Sequence, residues 1–368
     1  MTEEGSRRIG ALSGKIGAPP REPPERRAWL PIARAAARAT PDPPDPHAMT
    51  TPRFLELHRP DDRALAAEAA AGLLADRARV SPKFLYDPLG SRLFDAITEL
   101  DEYYPTRTEA AIVSAHLESI GAAALRHSGE RPALVDLGAG NCRKAARLFG
   151  ALRPRRYVAV DISAGFLRES LDCLQREHPE VEMVGVGLDF SARLELPESL
   201  LDGPSVVFYP GSSIGNFAPA AACRLLREAR DTAAGGALVI GVDLVKPPDV
   251  LEAAYDDALG VTAAFDLNLL RRLNRLLGAD FDVRRWRHVA LYDAAASRIE
   301  MHLEAREDQA VRWGDAVRRF ARGERIHTED SYKWTVGGFD DLLREAGFGT
   351  TAHWTDVEGR FAVFVAGD

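Results

Sequence analysis

ALVDLGAGNCRKAARLFGALRPRRYVAVDIS, residues 133–163, decides the fold. An apolar run, Ala133–Leu137, breaks at Gly138-Ala139-Gly140. A helical segment follows, and a second apolar run, Tyr157–Val160, ends on Asp161. The order is strand, glycine turn, helix, strand, with an acid at the tip of the second strand. A turn of small residues lets backbone approach a ligand closely. An acid at that tip can accept hydrogen bonds from both hydroxyls of a ribose. The stretch reads as an α/β unit that binds a nucleoside-containing cofactor. The plainer alternative is a glycine turn that only joins a strand to a helix.

The kind of cofactor follows from a missing residue. A dinucleotide fingerprint carries a third glycine at the start of the helix, and Arg143 stands there in this chain. Val135-Asp136-Leu137-Gly138, with Asp161 downstream, instead resembles the first two motifs of the S-adenosylmethionine-dependent methyltransferases. Their cofactor has no pyrophosphate and does not need that glycine.

Downstream the α/β rhythm continues. A helix over 164–177 leads to a strand at Val181–Val186 that ends near Asp189-Phe190. This pair is either an ordinary turn with a core phenylalanine, or an acid for an exocyclic amine beside a ring that covers an adenine. The strand Ser205–Tyr209 runs into PGSSIGNF (210–217) and a helix from Ala218 to Asp231. Asn216 is either a cap for that helix or a substrate contact at a strand end. A fifth strand, Ala237–Val242, precedes Asp243. Residues 246–335 then break the rhythm, with Leu267, Leu270, Leu273 and Leu277 at helical spacing and strands at Arg298–Ala305 and Gln309–Trp313. A helix Phe339–Ala346 and a hairpin of Thr351–Thr355 with Arg360–Val365 end the chain.

Upstream, Ala64–Ala75 reads as a helix, Ser91–Thr98 as another, and a third starts after Pro105 with Thr106 as cap. Phe84 and Phe94 read as core. Tyr103 and Tyr104, beside a proline, could line a cleft or join the core. The first 48 residues hold nine of the 23 prolines and read as a disordered Pro/Arg-rich extension. Met49, one of four methionines, is a candidate start of translation.

Composition narrows the function. A hydrophobic fraction of 46% is globular, and a formal net charge of −8 argues against nucleic acid as the main partner. No apolar run approaches the roughly 20 residues that span a bilayer. Cys142, Cys173 and Cys223 are scattered, without a Cys-x-x-Cys, as suits a reducing cytoplasm and no zinc site.

Longer motifs sharpen the resemblance. FLYDPLGSRLFDAITELDEYYPTRTEA (84–110), DLGAGNCRK (136–144), GSSIGNF (211–217), GVDLVK (241–246), AAYDDALGVTAAFDLNLLRRLNRLLGADFD (253–282), RIEMHL (298–303) and IHTEDSYKW (326–334) follow one another in order. With them the sequence resembles the histidine-specific, S-adenosylmethionine-dependent Nα-methyltransferases, which form hercynine in ergothioneine biosynthesis. The resemblance implies a class I (Rossmann-like) methyltransferase fold, an α/β seven-stranded sheet with a terminal antiparallel hairpin. A smaller α+β substrate-binding domain would come from residues 58–107 and 246–335, and the cofactor domain from 108–245 and 336–368. Hinge motion between the two is expected.

Cofactor contacts are implied at Gly138, Lys144, Asp161, Asp189, Phe190 and Gly211. Asn216 and Tyr255 would take the histidine carboxylate. Tyr103 and the Glu329-Asp330-Ser331 segment would hold the imidazole, with Met301 beside it, and Tyr86 would stand near the reacting amine. The family's first motif often has Glu and Ser where this chain has Asp136 and Ala139. The resemblance also suggests a monomer acting on free L-histidine, with no membrane partner.

The chemistry of the residues agrees. In an extended segment Glu329 and Ser331 point to one face, giving an acceptor and a hydroxyl for the two imidazole nitrogens. Glu329 could otherwise be a solvated loop acid. His327 hints at a metal, but no second histidine lies at ligand spacing and methyl transfer needs none. The substrate amine must lose a proton before it attacks, through water or a nearby tyrosine such as Tyr86. Competing readings are an Nα-methyltransferase of another amino acid, such as a tryptophan derivative, and a cofactor-binding protein without turnover.

Overall fold

The computed structural model describes residues 51–57 and 61–368. The expectations for residues 1–48 and for Met49 lie outside the described residues. In chain order the strands are β1 (Arg53–Glu56), β2 (Ala133–Leu137), β3 (Arg156–Asp161), β4 (Glu182–Gly187), β5 (Ser205–Tyr209), β6 (Ala237–Asp243), β7 (Trp286–Asp293), β8 (Arg298–Ala305), β9 (Gln309–Trp313), β10 (Ala316–Phe320), β11 (Arg325–Tyr332), β12 (Thr350–Thr355) and β13 (Phe361–Gly367).

Eight strands form one mixed sheet in the order β1-β4-β3-β2-β5-β6-β13-β12. Strands β1 to β6 are parallel, β13 returns antiparallel to β6, and β12 pairs antiparallel with β13. This is a methyltransferase-like α/β sheet with its terminal hairpin, and it has one strand more than the seven expected. The addition is β1, where only Phe54 and Leu55 are apolar, too short a run for a period-two pattern to show.

Strands β2, β5 and β6 are buried along their whole length because both faces of the sheet are covered. On one face Leu134 packs in a cluster with Ile120, Leu148 and Phe208; on the other Val135 packs with Val207, Leu225 and Leu226. Strand order reverses between β2 and β5, so their carboxyl ends open a crevice at Gly138 and Gly211.

A third core lies away from the sheet. Leu73, Phe84 and Tyr104 from the segment before β2 share it with Phe265, Leu269, Leu273, Trp286, Met301 and Ile326 from the insertion after β6. The insertion adds an antiparallel sheet, β11-β8-β7, and the β10-β9 pair. Strands β7, β10 and β11 escaped the sequence reading because polar residues blur their alternation: His288 is on the buried face of β7, Arg318 and Arg319 are adjacent in β10, and His327 to Ser331 are polar throughout in β11. The helix Tyr104–Ser128 starts before the expected cap Thr106, with Tyr103 at the cap and Pro105 in the first turn, where no N–H is needed. The insertion joins the sheet twice, side by side. Trp334 N–H donates to the Asp243 carbonyl at 3.1 Å, and Val245 N–H to the Trp334 carbonyl at 2.9 Å. None of the described helices is long and apolar enough to cross a membrane.

Candidate active site

The crevice is a cavity of about 570 Å³, within the range of small-molecule pockets. Gly138 sits at its floor with φ +72°, a conformation that side chains avoid. Asp161, at the end of β3, accepts from the Gly140 N–H at 2.9 Å and the Ser163 N–H at 2.7 Å, one on each oxygen. Burial raises its pKa, and these backbone donors oppose the rise. The carboxylate is held in one orientation and each oxygen keeps a lone pair for a ligand hydroxyl.

Phe190 lines the same cavity, edge-on to Tyr209 with ring centroids 5.8 Å apart. Asp189 accepts from the Ser191 N–H at 3.1 Å and faces the Lys83 ammonium at 3.4 Å. Lys144 donates to Glu109 at 2.9 Å, and the other Glu109 oxygen accepts the Gly211 N–H at 2.8 Å. Glu109 therefore ties the glycine loop after β2 to the loop after β5. It reaches there over Gly241 of β6, where a Cβ would stand 1.9 Å from the Glu109 Oε1.

Beyond the crevice lies a second, smaller cavity of about 40 Å³. Tyr86, Phe94, Tyr103, Gly211, Ser213 and Asn216 line both cavities and form the seam between them. Their rings interlock edge-on, Tyr86 against Phe94 at 5.7 Å and Phe94 against Tyr103 at 6.2 Å. The inner wall is Tyr255, Met301, Glu329 and Ser331. Strand pairing sets Glu329 opposite Met301, after a register shift between His327 and Glu329.

Glu329 accepts from the Asn216 amide at 2.7 Å. Burial pushes its carboxyl up to about 8; Asp266 adds to the rise while Lys333 and Asn216 oppose it. Tyr255 and Ser331 share a hydrogen bond of 2.7 Å between hydroxyls. Behind them Lys333, with no exposed side-chain surface, donates to Tyr255 at 2.9 Å and Ser331 at 2.8 Å and pairs with Asp243 at 2.9 Å. Asp243 also meets Lys246 at 2.6 Å and the Tyr104 hydroxyl at 2.7 Å. Burial alone would raise the Asp243 pKa, but the two lysines outweigh it and hold the carboxylate below its ordinary value.

A family profile described as histidine-specific methyltransferase, SAM-dependent, matches residues 65–367. The chain belongs to this family of methyltransferases. It is 42% identical over 311 residues to histidine N-alpha-methyltransferase of Mycolicibacterium smegmatis, covering 82% of this chain and 94% of the relative. The Mycobacterium tuberculosis protein of the same name is 39% identical, with the same coverage. The ergothioneine biosynthesis protein 1 of Schizosaccharomyces pombe is 29% identical over 78% of this chain and 39% of its own length.

The pinned acid, the glycine floor and the ring of Phe190 fit S-adenosylmethionine, the methyl donor of this methyltransferase. Every expected cofactor residue lines the larger cavity. Every expected substrate residue except Asp330 lines the smaller one. Asp330 is a correction. It stands between Glu329 and Ser331 on β11, so its side chain leaves by the opposite face, 3.3 Å from Arg298 and 3.0 Å from His327. That pairing also gives His327 a structural partner. Asn216 caps no helix, since Ala218 holds the cap position of the helix Pro219–Ala233 and the Asn216 amide turns to Glu329.

Tyr103 and Tyr104 part company: Tyr103 lines the cavity and Tyr104 is buried with its hydroxyl on Asp243. Phe94, expected in the core, packs against it and also lines the seam. Burial raises the Tyr86 phenol well above its ordinary pKa, and the Glu329 charge adds to the rise. Tyr86 therefore stays a neutral hydroxyl and is no proton sink. Asp136 lies under the glycine loop, accepts the Tyr157 hydroxyl at 2.6 Å, and is pushed up to about 7 by burial. Sequence reasoning missed Glu109, Lys83, Asp243 and Lys333. GVDLVK and IHTEDSYKW carried the signal for the last two, as charged residues set among apolar ones.

Proposed function

We propose that this methyltransferase transfers three methyl groups in turn to the α-amine of L-histidine and forms hercynine for ergothioneine biosynthesis. The observation that supports this most is the pairing of polar groups in the inner cavity, Asn216 with Glu329 and Tyr255 with Ser331. Tyr255 and the free N–H of Asn216 take the carboxylate. Glu329 and Ser331 take the imidazole, with Met301 against the ring. Glu329 and a neutral-to-cationic imidazole share one proton between them, so the pair gains no net charge on binding. An indole offers Glu329 no such exchange, which argues against a tryptophan derivative.

S-adenosylmethionine supplies an activated methyl group on a sulfonium, so the protein's part is mainly alignment. The Asp161, Lys144 and Phe190 cleft holds the donor on one side of the seam, and the inner cavity holds the amine on the other. The Tyr86 hydroxyl, neutral at physiological pH, accepts a hydrogen bond from the amine and orients its lone pair. The amine's proton leaves to water. As methyl groups accumulate, the faces of Tyr86, Phe94 and Tyr103 accommodate the growing cation.

The same reading treats residues 58–107 and 246–335 as the histidine-binding portion, which closes about the paired crossings at Asp243–Val245 and Trp334. It takes the protein as a cytoplasmic monomer acting on a small molecule. The test is mass spectrometry after incubation with S-adenosylmethionine and the twenty amino acids. Histidine should gain three methyl groups. A gain on another amino acid, with histidine unmodified, would overturn the assignment of Glu329 and Ser331.

A further inference from the structure

Lys333 lies outside the cavity wall yet touches two of its hydroxyls, those of Tyr255 and Ser331. An ammonium has three N–H donors and no acceptor. Two go to Tyr255 Oη at 2.9 Å and Ser331 Oγ at 2.8 Å, and the ammonium pairs with Asp243 Oδ2 at 2.9 Å. The two hydroxyls own two protons between them, and one of these is used in their mutual 2.7 Å hydrogen bond. One O–H is left for a ligand. A carboxylate can only accept, so if Tyr255 meets the substrate carboxylate, that O–H is Tyr255's. Ser331 must then donate to Tyr255, and it shows the ligand a lone pair.

Charge points the same way. Asp243 is one buried carboxylate shared by two lysines with buried side chains, Lys333 and Lys246, and the Lys333 ammonium stands 4.6 Å from the centre of the Tyr255 ring. A ligand carboxylate on the Tyr255 hydroxyl would balance it.

We propose that Lys333 is a positioning residue for the amino-acid site: by donating to both hydroxyls it leaves them one outward O–H between them. The substrate carboxylate takes that O–H from Tyr255, and Ser331 is then an acceptor for an imidazole N–H. This rests on the reading of Tyr255 as the carboxylate contact.

The experiment compares histidine with histamine, which keeps the imidazole and amine and lacks the carboxylate. Binding of each is measured by calorimetry on the full chain saturated with S-adenosylhomocysteine. Wild type should favour histidine strongly. In Lys333→Met, histidine affinity should fall about 10- to 100-fold, as for the loss of a charge-assisted hydrogen bond, while histamine affinity and S-adenosylhomocysteine affinity hold. An equal loss for both amines would make Lys333 merely structural and overturn the proposal.

Tyr255→Phe and Ser331→Ala test the direction without touching the buried charge. Tyr255→Phe should abolish the preference for histidine over histamine. Ser331→Ala should weaken both ligands alike and keep the preference. If Ser331→Ala lost the preference as fully as Tyr255→Phe, the assigned direction would be wrong. Wild type that failed to bind or methylate histidine at all would refute the proposed function instead, so the two failures are distinguishable.

Discussion

The cofactor crevice and the inner cavity sit on either side of one aromatic seam, but they are built differently. The acid that marks the crevice is set locally. Asp161 is fixed by backbone N–H groups of Gly140 and Ser163, both within one strand-turn-helix-strand unit. The inner cavity is made at long range. Asn216 follows β5, Tyr255 ends a helix of the insertion, and Glu329, Ser331 and Lys333 come from β11 and its end. Its polar atoms are held by other side chains. A site pinned by backbone tolerates change nearby, whereas a network of buried side chains fails together when one member goes.

The sharpest test of that contrast is Glu329→Leu. It should strand the Asn216 amide and remove the imidazole's partner, lowering kcat/KM for histidine by about a thousandfold or more. S-adenosylhomocysteine binding, measured by calorimetry, should stay within a few-fold of wild type. A comparable loss on the cofactor side would erase the distinction between the two regions.

Asp161→Asn makes the reciprocal cut. Cofactor affinity should fall about 10- to 100-fold, since ribose hydroxyls lose a charged acceptor, and the histidine KM at saturating cofactor should change little. Glu109→Gln touches both loops at once. It should weaken cofactor and histidine binding together, each by only several-fold, as measured by the two KM values. An effect confined to one substrate would show that the loops after β2 and β5 act independently.

A pH experiment isolates the side-chain network. The folded Glu329 carboxyl is raised to about 8, against an ordinary value near 4.3 in the unfolded chain. Between those values the folded state holds a proton that the unfolded state has lost. Stability without ligand therefore falls as pH rises through that window and levels off above it. Thermal melts of Glu329→Gln should show a shallower decline from about pH 5 to 8 than wild type, by a few degrees. Parallel curves would mean that Glu329 is ionised throughout. The mildest change is Tyr86→Phe, for which the first methylation should persist within about tenfold while the ratio of mono-, di- and trimethylated products shifts in a mass spectrum.

The same contrast explains what could be read from the chain. The crevice was legible because its parts are adjacent: a glycine turn, an acid one strand later and an acid-aromatic pair after the next strand. The spacing of Glu329 and Ser331 also carried over, because strand alternation fixes which face each takes, and by the same rule it sends Asp330 outward. The rest needed the fold. Nothing near Glu109 in sequence says that it spans two loops, since its partners lie 35 and 102 positions away. The destination of Tyr104 depends on Asp243, 139 residues downstream, so its separation from Tyr103 had no local signal. β1 stayed hidden because its pairing with β4, and not its own pattern, makes it a strand.

Gly241 and Glu109 constrain one another. The acid at 109 occupies the space that any side chain at 241 would need. The two positions are therefore bound to a common history. A descendant that gains even a methyl group at 241 must surrender or redirect the acid, and with it the tie between the two loops. Across diverging relatives these positions should be found to change as a pair or to stay as they are, a correlation written into the sheet by steric exclusion alone.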